Sequence, residues 1–97
     1  MSFDGTWNIV IKTPMGDEES VLEVTSDGRS LSGTQTAHGA TSPIHDGIIE
    51  GNMVRWTVDL TKPWRFTLSF RGEVDGARLA GRVKPGFFPE TSFFGER

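Results

Sequence analysis

A chain of 97 residues, 35% hydrophobic and 24% charged, has material for one modest hydrophobic core and not for two. Its net charge of −3, with acidic and basic residues interspersed, supplies no basic stripe for a phosphate backbone, and no apolar run approaches the ~18 residues of a membrane-spanning helix. The absence of cysteine excludes a disulfide framework, a thiolate nucleophile and thiolate metal ligands, so strand pairing and packing must hold the fold. The expectation is a single domain over residues 1–97, with no cofactor and with neither nucleic acid nor membrane as a partner. The opening Met-Ser-Phe-Asp reads as a cytoplasmic start without a signal peptide.

In chain order, turn signals fall at Pro14-Met15-Gly16, Asp27-Gly28-Arg29, His38-Gly39, Asp46-Gly47, Gly51-Asn52, Lys62-Pro63, Asp75-Gly76 and Pro85-Gly86. The intervening segments, about six to nine residues each, suit strands and are short for helices. Trp7, Ile9 and Ile11 alternate with polar neighbours, as do Leu22 and Val24 around Glu23, which gives two strands. Leu31 to Ala37 is polar and small, Ile44 to Glu50 is broken by Gly47 and Leu79 to Lys84 carries Gly81, so bulges or bends are expected in all three. Val54, Trp56, Val58 and Leu60 share one parity, and Trp64, Phe66, Leu68 and Phe70 share another after Lys62-Pro63, which predicts an antiparallel hairpin. Phe87 to Arg97 begins as a loop around Pro89 and becomes a strand near Thr91. This pattern predicts an all-β, eight-stranded antiparallel up-and-down meander barrel.

Gly5-Thr6-Trp7 at the first strand and Gly95-Glu96-Arg97 at the end of the last one resemble the calycin superfamily of lipocalins, fatty-acid-binding proteins and streptavidin-like proteins. The resemblance implies that Trp7 plugs one barrel end while Arg97 stacks on its indole and bonds local carbonyls. It also implies a small-molecule-binding interior. The chain is too short for a ten-stranded fatty-acid-binding pattern and has no C-terminal lipocalin helix, so an eight-stranded, streptavidin-like barrel fits best, without the biotin-binding residues. In style the chain is also similar to small uncharacterised bacterial lipocalin-like domains, a likeness that implies no activity.

Candidate functional residues come with ordinary structural readings beside them. Trp56, Trp64 and Phe66 suit the walls of an apolar pocket and equally suit a plain core; Trp64, directly after Pro63, is placed at a barrel mouth. Phe87 and Phe88 form either a rim over the opening, an edge cover or a subunit contact. Gln35 shares parity with Leu31 and Gly33, which points it inward to offer a ligand hydrogen bond, or outward if the register is slipped. His38 and His45, the only histidines, do not converge as a metal site needs. His45 and Asp46, adjacent on an extended strand, face opposite ways unless a bulge intervenes. The acidic run Asp17, Glu18 and Glu19, and Asp59, which lies on the polar face of a strand with Arg55, read as solvated charge and cross-strand pairing. No nucleophile elbow or phosphate-cradling glycine loop is present.

The leading expectation is therefore a barrel that binds a compact, largely apolar small molecule, with Trp56, Trp64, Phe66 and Phe88 as walls and rim and Gln35 or His45 as polar contact. Two alternatives stand beside it. One is a small barrel enzyme of lyase, isomerase or cyclase type, which needs an inward titratable group such as His45. The other is a module that forms homodimers or larger homo-oligomers through exposed Phe87 and Phe88.

Overall fold

The structure, a computed structural model, describes residues 3–61 and 65–97. Eight strands follow one another: β1 Gly5–Thr13, β2 Gly16–Asp27, β3 Ser30–Ala37, β4 Ala40–Glu50, β5 Met53–Leu60, β6 Phe66–Asp75, β7 Arg78–Pro85 and β8 Thr91–Glu96. Each pairs antiparallel with the next, and β8 returns to β1, so the meander closes into a barrel of 34 by 21 by 21 Å. Closure satisfies the edges that an open sheet would leave unpaired. No helix occurs among the described residues.

Alternation dictates what fills the barrel. Trp7, Ile9 and Ile11 of β1, Leu22 and Val24 of β2, Val54, Trp56 and Val58 of β5, and Leu68, Phe70 and Val74 of β6 all point inward and are buried. The expected hairpin forms, with Trp56 opposite Phe70, Val58 opposite Leu68 and Leu60 opposite Phe66. Its turn, read at Lys62-Pro63, and Trp64 lie outside the described residues. Trp56 and Phe70 stack with ring centroids 4.7 Å apart, and Phe93 meets both edge-on at 5.9 and 5.0 Å. Such pairs add directional attraction to the burial itself.

The glycine-broken strands resolve in two ways. The register shifts between β3 and β4 at Leu31–Thr34 and between β4 and β5 at His45–Ile48, and both shifts leave the extra residue in β4, so β4 is the bulged strand and β3 carries no extra residue. The Asp46-Gly47 signal, expected to be a turn, lies in that bulge: β4 runs through it, and the extra residue is absorbed by Asp46 at φ 54° rather than by reversal of the chain. In β7 no bulge forms. The β6–β7 register is unbroken, and Gly81 lies opposite Gly72 where the two strands approach so closely that a Cβ on Gly81 would stand 2.0 Å from the Arg71 carbonyl oxygen. Curvature there comes from missing side chains and not from an extra residue.

One end is plugged. Phe3 crosses it with 1% exposure, its ring 5.1 Å from that of Trp7, and its carbonyl accepts a 2.8 Å hydrogen bond from Trp7 Nε1. The Arg97 guanidinium lies 4.7 Å from the centroid of the Trp7 ring and donates to the carbonyls of Asp4 at 2.9 Å and Gly76 at 3.2 Å. The arginine thus joins both chain termini to the β6–β7 turn.

Gly81→Ala is expected to lower stability by roughly 2–4 kcal/mol, because the clash is with backbone and no rotamer relieves it. Gly76→Ala, a turn position with open space around its Cβ direction, is expected to cost less despite its φ of 62°. Urea denaturation of the two variants checks the order, which reverses if the β6–β7 approach is not tight.

Candidate functional site

The end opposite the plug, where the β1–β2, β3–β4 and β7–β8 turns lie, has a different lining. Below it, Trp7, Trp56, Phe70 and Phe93 occupy the barrel with 0–2% exposure. Near the mouth the inward positions carry Ile11, Ser20, Ala37 and Ser42, which are smaller and 6–8% exposed. An eight-stranded barrel is wide enough either to be filled by side chains or to hold one small ligand. This one is filled at the plugged end and tapers to small residues at the other.

At the boundary sits Gln35, an amide 1% exposed in an otherwise apolar layer. Its Oε1 accepts 3.0 Å from Trp56 Nε1, and its Nε2 donates 2.9 Å to Ser20 Oγ. A primary amide has two donors and two lone pairs, so these bonds use half of its capacity, and Ser20, accepting through oxygen, keeps its own proton to donate. Ser42 lies directly across from Gln35 on β4, and its hydroxyl has no protein partner among the described residues. Three neutral polar groups from β2, β3 and β4 therefore gather beneath the mouth. They are the buried polar side chains among the described residues, and none changes protonation near neutral pH.

At the rim, half-buried Phe66 meets Phe88 with ring centroids 5.9 Å apart. Phe88 is 56% exposed, and Phe87 at the loop tip is fully so. The loop is held down by Gly86 N donating to Thr67 O at 2.9 Å, Lys84 Nζ donating to Phe88 O at 3.1 Å and the Thr91 hydroxyl donating to Lys12 O. Of the residues singled out in the sequence, Trp56 and Gln35 are joined by a hydrogen bond inside, and Phe66 and Phe88 meet at the rim. Phe3, Ser20 and Ser42 escaped that reading, although Ser20 and Ser42 share inward parity with Leu22 and Ile44.

His45 is the exception. It lies on the outer face, exposed, and cannot supply the interior polar contact or the inward general base expected of it. The bulge is the reason: it turns Asp46 to φ 54° and brings its carboxylate to the neighbouring ring, so His45 Nδ1 and Asp46 lie 2.9 Å apart, a pairing that regular strand geometry forbids. On the other side His45 Nε2 is 3.0 Å from Asp59, which also accepts 2.7 Å from Thr67 Oγ1. Asp59 thus finds its partners across the strands, in His45 of β4 and Thr67 of β6. The Asp46 carboxylate chiefly, opposed by desolvation and supported by Asp59, holds the imidazolium above its usual 6.5. The Thr67 hydroxyl, more than His45, holds Asp59 below its usual 3.8, again against desolvation. His38 is elsewhere, 3.2 Å from Glu18.

The architecture is thus a closed, eight-stranded antiparallel meander, plugged at one end by a tryptophan under an arginine. No protein-family profile and no curated protein sequence matches the chain. Among solved structures, the crystal structure of apo Caenorhabditis elegans lipid binding protein 8 is similar, with a TM-score of 0.54 at 13% identity over 98% of this chain and 95% of that one. At that identity the likeness is one of fold.

His45 is expected to titrate in NMR with a midpoint above 6.5 that falls in Asp46→Asn and, by a smaller step, in Asp59→Asn. A raised folded-state pKa gives His45 a stabilising contribution that is complete below 6.5 and disappears as pH rises through the raised value. A lowered one gives Asp59 a contribution complete above 3.8 that is lost as pH falls through its folded value. The pair therefore stabilises fully between 3.8 and 6.5. An unchanged His45 midpoint in both variants contradicts the bulge geometry.

Proposed function

We propose that the protein binds a compact, largely apolar small molecule carrying one polar group, admitted at the unplugged end and recognised beneath the mouth. The observation that carries this reading is the Gln35–Ser20–Ser42 cluster: neutral hydrogen-bonding groups with unused capacity, buried in an apolar wall beneath the unplugged end. Trp56 forms the wall beside Gln35, and Phe66 and Phe88 form the rim. Trp64, outside the described residues, belongs by sequence to the same end. The fold is shared with a protein named for lipid binding, which fits an apolar ligand. The interior holds no titratable group among the described residues, so binding rather than acid–base turnover is the reading it supports.

A second reading rests on Phe87, fully exposed beside Phe88 at a loop tip: self-association through this segment. Sedimentation of the wild type and of Phe87→Ser separates it, since only an association through the loop is weakened by that change.

Medium-chain alcohols and carboxylic acids of about eight to twelve carbons are suitable probes. A ligand at about 100 times its Kd raises stability by about 2.7 kcal/mol, which moves the melting temperature of a domain this size by well over 4 °C. Ser42→Phe, which fills the mouth, is expected to abolish the shift with the fold retained. Gln35→Leu is expected to weaken binding about fivefold or more while lowering basal stability by about 1–3 kcal/mol, because Trp56 Nε1 loses its acceptor. No stabilisation by any probe, or binding indifferent to Ser42→Phe, overturns the proposal.

A further inference from the structure

The outer wall carries a feature that neither the plug nor the mouth explains. Arg55 of β5, Arg71 of β6 and Arg82 of β7 are direct cross-strand partners, forming a row of three guanidinium groups across adjacent strands. Like charges directly opposite one another destabilise a sheet. The row also stands out in a chain whose net charge is −3. Thr57 and Ser69, themselves cross-strand partners, place hydroxyls one pair further along, and Lys84 faces Ser69 from β7. Arg55, Arg71, Lys84, Thr57 and Ser69 line a surface groove of about 530 Å³.

The compensation present is incomplete. Glu90, from the loop before β8, reaches Arg71 at 3.0 Å and Arg82 at 3.5 Å, so one carboxylate lies between two guanidinium groups. Arg82 also donates to Ser92 Oγ at 3.2 Å. Arg55 has no side-chain partner among the described residues, and Lys84 donates only to a carbonyl. Asp46, at the far wall of the groove, is engaged by His45.

Planar guanidinium forks in a row, with hydroxyls beside them, match the tetrahedral oxygens of phosphate better than a single carboxylate does. We propose that this groove is a binding site for a small, soluble phosphorylated ligand, clamped by Arg55, Arg71 and Lys84, with Glu90 as the internal carboxylate that the ligand displaces. The site is independent of the mouth, since its side chains point outward from the same strands whose inward residues form the core.

Inorganic pyrophosphate is the probe, titrated calorimetrically at low, constant ionic strength, because exposed charge pairs are screened by salt. Saturable binding with a Kd below about 1 mM is expected. Arg71→Gln and Arg55→Gln are each expected to weaken it about tenfold, and Glu90→Gln to tighten it severalfold by removing the competing carboxylate. Without ligand, Glu90→Gln is expected to melt lower than wild type, and pyrophosphate to restore it. Ser42→Phe is expected to leave pyrophosphate binding unchanged, which keeps this site's outcome separate from that of the mouth. No saturable binding to wild type or Glu90→Gln up to about 10 mM overturns the proposal. Affinity indifferent to both arginine changes, or association with phosphatidic acid vesicles without binding of pyrophosphate, overturns it equally.

Discussion

The return of β8 to β1 is the constraint on which the rest depends. Only Asn8 to Ile11 of β1 pair with β8, so the seam that converts an eight-stranded sheet into a barrel is four residues long. A seam that short leaves the ends to hold it. Arg97, the last residue, lies on the Trp7 indole and spans to the carbonyls of Asp4 and Gly76, while Trp7 itself donates to Phe3. Burial of a large aromatic and a charge-assisted pair of hydrogen bonds thus act where the backbone ladder is shortest.

That arrangement makes the two ends unlike. Bulky side chains concentrate around the seam and the plug, and Gly72 and Gly95 give way to them: a Cβ on Gly72 would meet the Phe93 ring at 3.2 Å, and one on Gly95 would meet Ile9 at 2.9 Å. With the wide side chains spent there, the opposite end is lined by Ser20, Ala37 and Ser42, and the buried amide of Gln35 marks the change from one regime to the other. A buried amide needs partners. Gln35 finds them in Trp56 and Ser20, so the same network that fixes the core tryptophan also presents polar groups to the mouth. Packing and recognition meet in one side chain.

Much of this is legible in the sequence. Period-two alternation in Trp7 to Ile11 and Val54 to Leu60 dictates which face is core, and the parity of Gln35 with Leu31 places its amide inside. The Gly5-Thr6-Trp7 and Arg97 pair indicates the plug before any geometry is known. What local pattern does not carry is the outcome of a glycine within a strand. Gly47 with Asp46 looks like a turn and makes a bulge, because the pairing of β4 with both neighbours outweighs the local preference for reversal. His45 is misread for the same reason: one extra residue redirects the carboxylate beside it. The arginine row is invisible along the chain, since its members come together only through the registers of β5, β6 and β7.

The central claim is that one barrel end is a plug and the other a binding mouth. An amide and indole NMR map recorded during titration with dodecanoic acid tests it most directly. The account predicts saturable shifts of the Gln35 side-chain amide, the Trp56 indole N–H and the Ser20 and Ser42 backbone, with the Trp7 indole N–H unmoved. Shifts centred on Trp7 and Phe3, or confined to outward-facing residues, contradict it.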